Sequence, residues 1–319
     1  MSYDVVTLGE VLIDFTENGI SAQENKLFEA NPGGAPCNVL AMLTKLGKKT
    51  AFIGKVGDDQ FGHLLKETIE RVGITSKGLV LDTKCLTTLA FVHTFADGDR
   101  DFSFYRVRGA DVMLAKDEID YTLIDESKVF HFGTLSMTDE PARSATIAAL
   151  KYAKKQKKLI SFDPNLREPL WENLTKAKEM IELGLTYCDI LKISDNEIRF
   201  LTELQDFDEG VAFIQAEYGI PLIFLTMGKE GSRAYYKDLV MEVPGYQVET
   251  IETTGAGDTF TGCAINGVLN YGLENLDLDK LEEILDFANA AAALVTTKKG
   301  AILSMPTKEE VKALQDTIR

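Results

Sequence analysis

Basic residues are scarce beside acidic ones: 34 Lys and Arg stand against 50 Asp and Glu in 319 residues, a formal net charge of -16. That balance argues against a nucleic-acid partner or an anionic membrane surface, since both favour a broad positive face. Any phosphate must be held locally. Histidine is limited to His63, His93 and His131, far apart and in no metal or triad spacing. The four cysteines, Cys37, Cys85, Cys188 and Cys263, form no Cys-x-x-Cys pair, so neither a zinc site nor a disulfide framework is indicated. No apolar run reaches the about 18 residues of a membrane span, and the start, Tyr3-Asp4-Val5-Val6-Thr7-Leu8, reads as a strand and not as a secretory signal. A soluble, cytoplasmic protein is expected. Three nucleotide motifs are missing as well. There is no Gly-x-x-x-x-Gly-Lys-Ser/Thr loop, Phe260 stands where a dinucleotide fingerprint after Gly255 needs glycine, and the protein-kinase elements His-Arg-Asp and Asp-Phe-Gly do not occur.

What is present is a folded-protein composition, 45% hydrophobic and 26% charged, and a repeating strand, turn and helix rhythm. Short apolar runs at Val5–Leu8, Thr50–Gly57, Val129–Phe132, Leu159–Phe162, Ile190–Ile193 and Leu222–Leu225 rarely alternate with polar residues. Strands of that kind, separated by helical segments, predict a mostly parallel sheet covered on both faces. Ligands bind such sheets beyond the strand carboxyl ends. There the chain places Asp14, Gly133-Thr134, Asp163-Pro164-Asn165-Leu166-Arg167, Ser194-Asp195-Asn196-Glu197 and Thr226-Met227-Gly228-Lys229-Glu230-Gly231. Residues from about Phe15 to Asn31 read as polar and irregular. Leu86–Phe95 and Phe102–Arg106, around the turn Asp97-Gly98-Asp99-Arg100, read as an inserted small sheet with apolar groups on both faces. The expected organisation is one α/β domain over residues 1–319, with lid segments at about 12–34 and 86–109.

Two glycine-led helix starts carry the chemistry. In Thr253-Thr254-Gly255-Ala256-Gly257-Asp258 the glycines let the backbone approach a ligand, and a helix follows to about Gly272. Unpaired amides and the positive helix end make Gly255, Ala256, Gly257 and Asp258 an anion pocket that needs no basic side chain. In its mouth Asp258 is placed to accept a proton from a hydroxyl facing a phosphoryl group. The plainer alternative is a glycine turn with Asp258 as a helix cap. The second start is Gly33-Gly34-Ala35-Pro36-Cys37-Asn38, where Pro36 suits the first helical turn and Asn38 projects beside the glycines.

Both elements, in this order and with Gly57-Asp58-Asp59-Gln60-Phe61-Gly62 between them, resemble the signatures of the ribokinase-like (PfkB) carbohydrate kinase family, and within it most resemble fructokinases. The resemblance spans essentially the whole chain. It implies a ribokinase-like three-layer α/β/α fold with a small inserted β-sheet lid, and transfer of the γ-phosphate of ATP to a primary sugar hydroxyl. It further implies Asp258 as base, the Gly255–Asp258 backbone as anion hole, and Asp14, Gly33, Gly34 and Asn38 on the sugar. Ser194-Asp195-Asn196-Glu197 resembles the family's Asn-x-x-Glu element, with Ser194 in place of asparagine, so Glu197 is expected to organise Mg2+ through water. Thr226, Gly228, Gly231 and Asn289 resemble the adenine and ribose shelf, joined by Ser194 and Gly257 on ATP, and Lys298-Lys299-Gly300-Ala301 the segment that closes it. Many relatives bind K+ near an aspartate whose position Glu252 fills, which makes Glu252 the monovalent-cation candidate.

Phe102–Arg106 with Gly109-Ala110-Asp111, and Asp163–Arg167 running on to Trp171, are most similar to fructokinases and in part to 2-keto-3-deoxygluconate kinases. Tyr105, Arg106 and Arg167 are therefore sugar-side candidates, and an acidic sugar would need one of the guanidinium groups. D-fructose is the expected substrate. The alternatives are 2-keto-3-deoxygluconate kinase or ribokinase-type activity, and, from another class, a non-catalytic sugar or nucleoside sensor. ATP and a small sugar are the expected partners, with a homodimer formed through the lid.

Overall fold

In the computed structural model, residues 2–94 and 100–317 are described. In chain order the chain forms β1 (Val5–Leu8), β2 (Leu12–Ile20), β3 (Lys26–Gly33), α1 (Ala35–Lys45), β4 (Thr50–Gly57), α2 (Gln60–Arg71), β5 (Thr75–Asp82), β6 (Leu89–Thr94), β7 (Arg100–Tyr105), α3 (Tyr121–Asp125), β8 (Val129–Gly133), α4 (Ala142–Lys155), β9 (Leu159–Asp163) and α5 (Leu174–Leu185). It continues through β10 (Ile190–Ser194), α6 (Asp195–Thr202), α7 (Phe207–Tyr218), β11 (Leu222–Thr226), β12 (Gly231–Tyr236), β13 (Leu239–Pro244), α8 (Ala256–Tyr271), α9 (Leu278–Val295) and α10 (Lys308–Thr317).

Nine strands form one sheet in the order β13-β12-β11-β10-β9-β8-β1-β4-β5. From β11 to β5 every pair is parallel, and β12 and β13 add an antiparallel edge. The apolar strands are explained by two cores. Val5, Phe52, Val129, Ile190 and Leu222 pack toward α1, α2, α8 and α9. Their neighbours Val6, Ile53, Phe130, Leu191 and Ile223 pack toward α3 to α7 on the opposite face. With both faces covered, alternation has no solvent side to mark. This is the three-layer α/β/α arrangement. The register pairs Gly133 with Asp163 and Ser194 with Thr226, so the polar strand ends lie along one sheet edge.

The smaller sheet has the order β3-β2-β6-β7. Residues 15–31, expected to be irregular, mostly lie in the antiparallel hairpin β2–β3. Its outer half is solvent-exposed, with Lys26 paired to Glu17 at 2.8 Å and Ile20, Leu27 and Phe28 open to solvent, so no buried face imposed an alternation. The turn predicted at Asp97–Arg100 falls largely at 95–99, outside the described residues. The hairpin β12–β13 and strand β5 are further additions, and α9 starts at Leu278, where Asp277 caps it by accepting from Lys280 N.

A buried ion pair fixes the base of the small sheet. Arg106, just past β7, donates from Nε and Nη2 to Asp111 Oδ2 at 2.7 Å, from Nη1 to Thr138 Oγ1 at 2.8 Å and from Nη2 to the Leu135 carbonyl at 2.8 Å. Thr88, just before β6, donates to the other Asp111 oxygen at 2.5 Å. Asp111 thereby holds both ends of the β6–β7 pair, and Arg106 ties them to the loop after β8. Removing one partner of a buried pair typically costs ~3 to 5 kcal/mol because the other charge is stranded. Asp111→Ala is expected to lose stability on that scale in chemical denaturation, and a loss below about 1 kcal/mol would rule out Asp111 as the anchor.

Candidate active site

The site grows from the start of α8. Gly255 takes a left-handed conformation, φ 81°, and a Cβ there would lie 2.8 Å from Ala301 Cβ. Only glycine meets both demands. The chain then turns into α8, whose first-turn amides have no partner within the helix, although Ala256 N reaches back to Thr253 O at 3.3 Å. Asp258 stands in this turn. Asn38 Nδ2, on the first turn of α1, donates to its Oδ2 at 2.7 Å. Burial raises the Asp258 pKa, while the Asn38 hydrogen bond and then the Lys192 and Arg167 charges act to lower it.

On one side of Asp258 lies a cavity of about 330 Å³, walled by Glu10, Asp14, Asn38, Phe104, Arg167 and Lys192 and floored by the Gly255–Asp258 turn. Asp14 comes from β2 and Asn38 from α1, so the cavity sits between the small sheet and the large one. Burial, and after it the nearby Glu252 carboxylate, push the Asp14 pKa to about 7. Glu10 is also pushed to about 7 by burial. It accepts a hydrogen bond from Ala35 N at 3.1 Å, capping α1 where Gly34 has no side chain to do so. Gly34 lines the cavity, and Gly33 ends β3 beside the Asp14 carboxylate.

On the other side a groove of about 370 Å³ runs past Thr226, Gly228, Gly231, Tyr246, Asn289 and Ala292. The two spaces share Thr253 and Gly257, so the glycine turn is the partition between them. This is the geometry for passing a group from a ligand in the groove to a ligand in the cavity, with a carboxylate at the crossing.

Several expected residues have other work. Tyr105 points to the outer face of the small sheet, 66% exposed and edge-on to Phe91. Strand alternation puts Phe104 in the cavity instead. Arg106 has its guanidinium bound by Asp111, Thr138 and Leu135, outside the cavity lining. Arg167 lines the cavity as expected. Asn289 lines the groove, but its amide donates to Val243 O at 3.0 Å and Pro244 O at 3.2 Å and accepts from Ser232 Oγ at 2.8 Å. It pins α9 to the β12–β13 edge and is not free to read a base. Ser194 and Glu197 form a capping box at the start of α6: Glu197 Oε2 accepts from Ser194 N and Oγ at 2.8 Å each, and Oε1 from Leu166 N at 2.8 Å. Neither lines the cavity or the groove. Burial alone would raise the Glu197 pKa, but the Lys192 charge and these hydrogen bonds outweigh it, so the net shift is downward. Glu252 is buried and accepts from Thr254 Oγ1 at 2.7 Å and Gly300 N at 3.0 Å, tying the segment before the cradle to the segment after α9.

Two cavity residues escaped the sequence reading. Glu10 follows β1 and carried the same strand-end signal as Asp14. Lys192 was visible as a lysine inside the apolar run Ile190–Ile193. Burial pushes its pKa down, but the facing Asp163, Glu197 and Asp258 carboxylates more than reverse this.

The description of the pfkB family carbohydrate kinases matches residues 2–308. A relative from Arabidopsis thaliana named "Probable fructokinase-5" is 43% identical over 312 residues, 97% of this chain and 96% of that protein. Among solved structures, the fructokinase from Xylella fastidiosa with bound ATP superposes with a TM-score of 0.89 at 28% identity, covering 100% of both chains. A double mutant of the Vibrio cholerae O395 fructokinase bound to fructose, ADP and a potassium ion gives 0.89 at 29% identity, covering 98% of this chain and 99% of that one. With its sheet, its glycine turn and its whole length accounted for in this way, the chain belongs to the pfkB family of carbohydrate kinases.

Proposed function

We propose that this protein is an ATP-dependent fructokinase that moves the γ-phosphoryl group of ATP to a primary hydroxyl of D-fructose. The observation that carries the reading is the position of Asp258: at a helix start, held by Asn38, where the two ligand spaces meet. ATP takes the groove and the sugar the cavity. Asp258 accepts the hydroxyl proton as the sugar oxygen bonds to the γ-phosphorus, and the bond from that phosphorus to the β–γ bridging oxygen breaks to release ADP. The first-turn amides of α8 stabilise the charge on the moving group. Glu10, Asp14 and Asn38 supply sugar-hydroxyl partners.

Fructose is supported by the fructokinase relative and by the fructose-bound Vibrio cholerae structure. An acidic sugar such as 2-keto-3-deoxygluconate is the less favoured substrate, because three carboxylates wall the cavity and Arg106 is bound by Asp111, Thr138 and Leu135, which leaves Arg167 as the guanidinium in the wall. Among the described residues no cluster of three acidic, histidine or cysteine side chains is arranged to cage a metal. Mg2+ would be brought in on the ATP phosphates, whose charge it would offset; Glu197, the expected water-mediated partner, has both carboxylate oxygens bound by Ser194 and Leu166 and would have to leave that capping box to take part. A K+ ion is supported by the potassium-bound relative and by the buried carboxylate of Glu252. The small sheet acts as a lid that excludes water over the cavity. Its outer aromatic face, with Phe28 39% and Tyr105 66% exposed, is proposed to pair two copies into a homodimer. The working compartment is the cytoplasm, in keeping with four unpaired cysteines.

A coupled ADP-release assay over fructose, ribose, 2-keto-3-deoxygluconate and nucleosides tests the substrate. Fructose is expected to give the highest kcat/KM. Sugar binding without ADP release would make the protein a sensor. Asp258→Asn is expected to lower kcat by ~10² to 10⁴ while ATP affinity is kept, and a kcat near wild type would remove Asp258 as base.

The raised carboxylates predict opposite pH trends for activity and stability. Asp258 and Asp14 act ionised, so kcat/KM for fructose should decline as pH falls below about 7. The folded state, by contrast, holds protons on Glu10 and Asp14 up to about pH 7 that the unfolded chain releases near its ordinary carboxylate values of 4.5 and 3.8. These two groups thus contribute stability at low pH that is lost as pH rises through that window. Their contribution can be isolated by comparing denaturation at pH 5.5 and 7.5 in wild type and Glu10→Gln. The wild type should lose more stability on going to pH 7.5 than the variant, and identical pH responses would refute the assignment.

A further inference from the structure

Lys192 has no part in the proton transfer, and as a buried ammonium it calls for an explanation. It lies on β10 with 7% of its surface exposed, while Leu191 and Ile193 on either side turn into the opposite core. Its Nζ is 3.2 Å from Asp163 Oδ2 and 3.4 Å from Oδ1. Asp163 is its only hydrogen-bonding partner among the described residues, and an ammonium carries three donors. The remaining capacity faces the cavity that Lys192 helps to wall. Nζ also lies against the glycine turn, 3.1 Å from where a Cβ on Gly257 would be. The lysine head thus flanks the anion cradle.

The other groups nearby are committed. Ser194, two residues along the same face of β10, spends its hydroxyl in the capping box with Glu197. Of the two cations in the cavity wall, Arg167 acts on Asp14 and Asp258, the sugar side. Lys192 acts on Asp163, Glu197 and Asp258. Asp163 is held in turn by Asn165 N at 3.1 Å and Thr261 Oγ1 at 3.4 Å, from the strand end and from α8.

From this arrangement we infer that Lys192 is a catalytic residue that contacts the transferring phosphoryl group beside the α8 amides, with Asp163 as the positioning residue that holds the ammonium there. Lys192 stays protonated throughout. It donates hydrogen bonds to the phosphoryl oxygens while the proton of the sugar hydroxyl goes to Asp258. The inference rests on the kinase reading and adds the side-chain cation that the cradle itself lacks. A purely structural lysine, present only to neutralise Asp163, is the alternative.

The two are separated by Lys192→Met, Asp163→Asn and the double variant. Stability is followed by thermal unfolding and turnover by ADP release with whichever sugar the wild type phosphorylates, so failure of fructose alone does not cloud the result. Lys192→Met strands Asp163 and should lose both stability and turnover. In the double variant the stranded charge is gone and the thermal midpoint should return toward wild type, while kcat stays ~10² to 10³ lower, the scale for losing one oxyanion donor. Recovery of kcat to within about threefold of wild type in the double variant would overturn the proposal. As a readout independent of turnover, calorimetry with ADP and aluminium fluoride, a mimic of the moving phosphoryl group, should show at least about tenfold weaker binding in the double variant with ADP alone unchanged. Equal binding of the mimic would likewise overturn it.

Discussion

One hydrogen bond, 2.7 Å from Asn38 Nδ2 to Asp258 Oδ2, joins the two halves of this chain where its chemistry is concentrated. It exists because α1 and α8 pack closely. A Cβ on Gly262 would lie 2.9 Å from Met42 Cβ and 3.0 Å from the Val39 carbonyl, so a larger residue would force the helices apart. Both helices start on glycines at the same edge of the large sheet, one after β3 and one after the long β13–α8 connection. Close packing of their first turns brings an amide to a carboxylate from 220 residues away. The cavity, the groove and the partition between them follow from that meeting.

Charge explains the rest of the arrangement. Glu10, Asp14 and Asp258 converge on a small space, and burial raises the pKa of each. Hydrogen-bond acceptors clustered in this way suit a neutral, hydroxyl-rich ligand and repel an anionic one. At the partition itself the need is reversed: the α8 amides supply positive character there, and Lys192, in the cavity wall against Gly257, is inferred to add a cation despite a net charge of -16. An acidic protein can hold a phosphate by backbone dipoles and one buried cation, where a basic surface would serve a longer polyanion.

The parallel strands, the two glycine-led helices and Asp14, Asn38 and Asp258 were legible in the sequence, since buried strands and glycine turns are local signals. What escaped it depends on contacts between distant segments. Arg106 read as a sugar ligand because Asp111 and Thr138, which bind it, are brought to it only by the fold. Asn289 read as a base contact until its amide was found tied to β12 and β13, a hairpin not anticipated. The β2–β3 hairpin stayed hidden because its outer half is exposed and has no buried face to set an alternation. Lys192 is a lone lysine within an apolar run in the sequence, and its place at the site depends on the Gly257 backbone beside it.

The central claim is that Asp258 stands between a sugar hydroxyl and the γ-phosphate of ATP at the partition of two ligand spaces. A crystal structure with fructose and a non-hydrolysable ATP analogue bound together tests it most directly. The account predicts a primary hydroxyl oxygen within about 3.2 Å of an Asp258 carboxylate oxygen, with the γ-phosphate over the first turn of α8. Fructose bound with no primary hydroxyl near Asp258, or a γ-phosphate lying away from the Gly255–Asp258 turn, would contradict it.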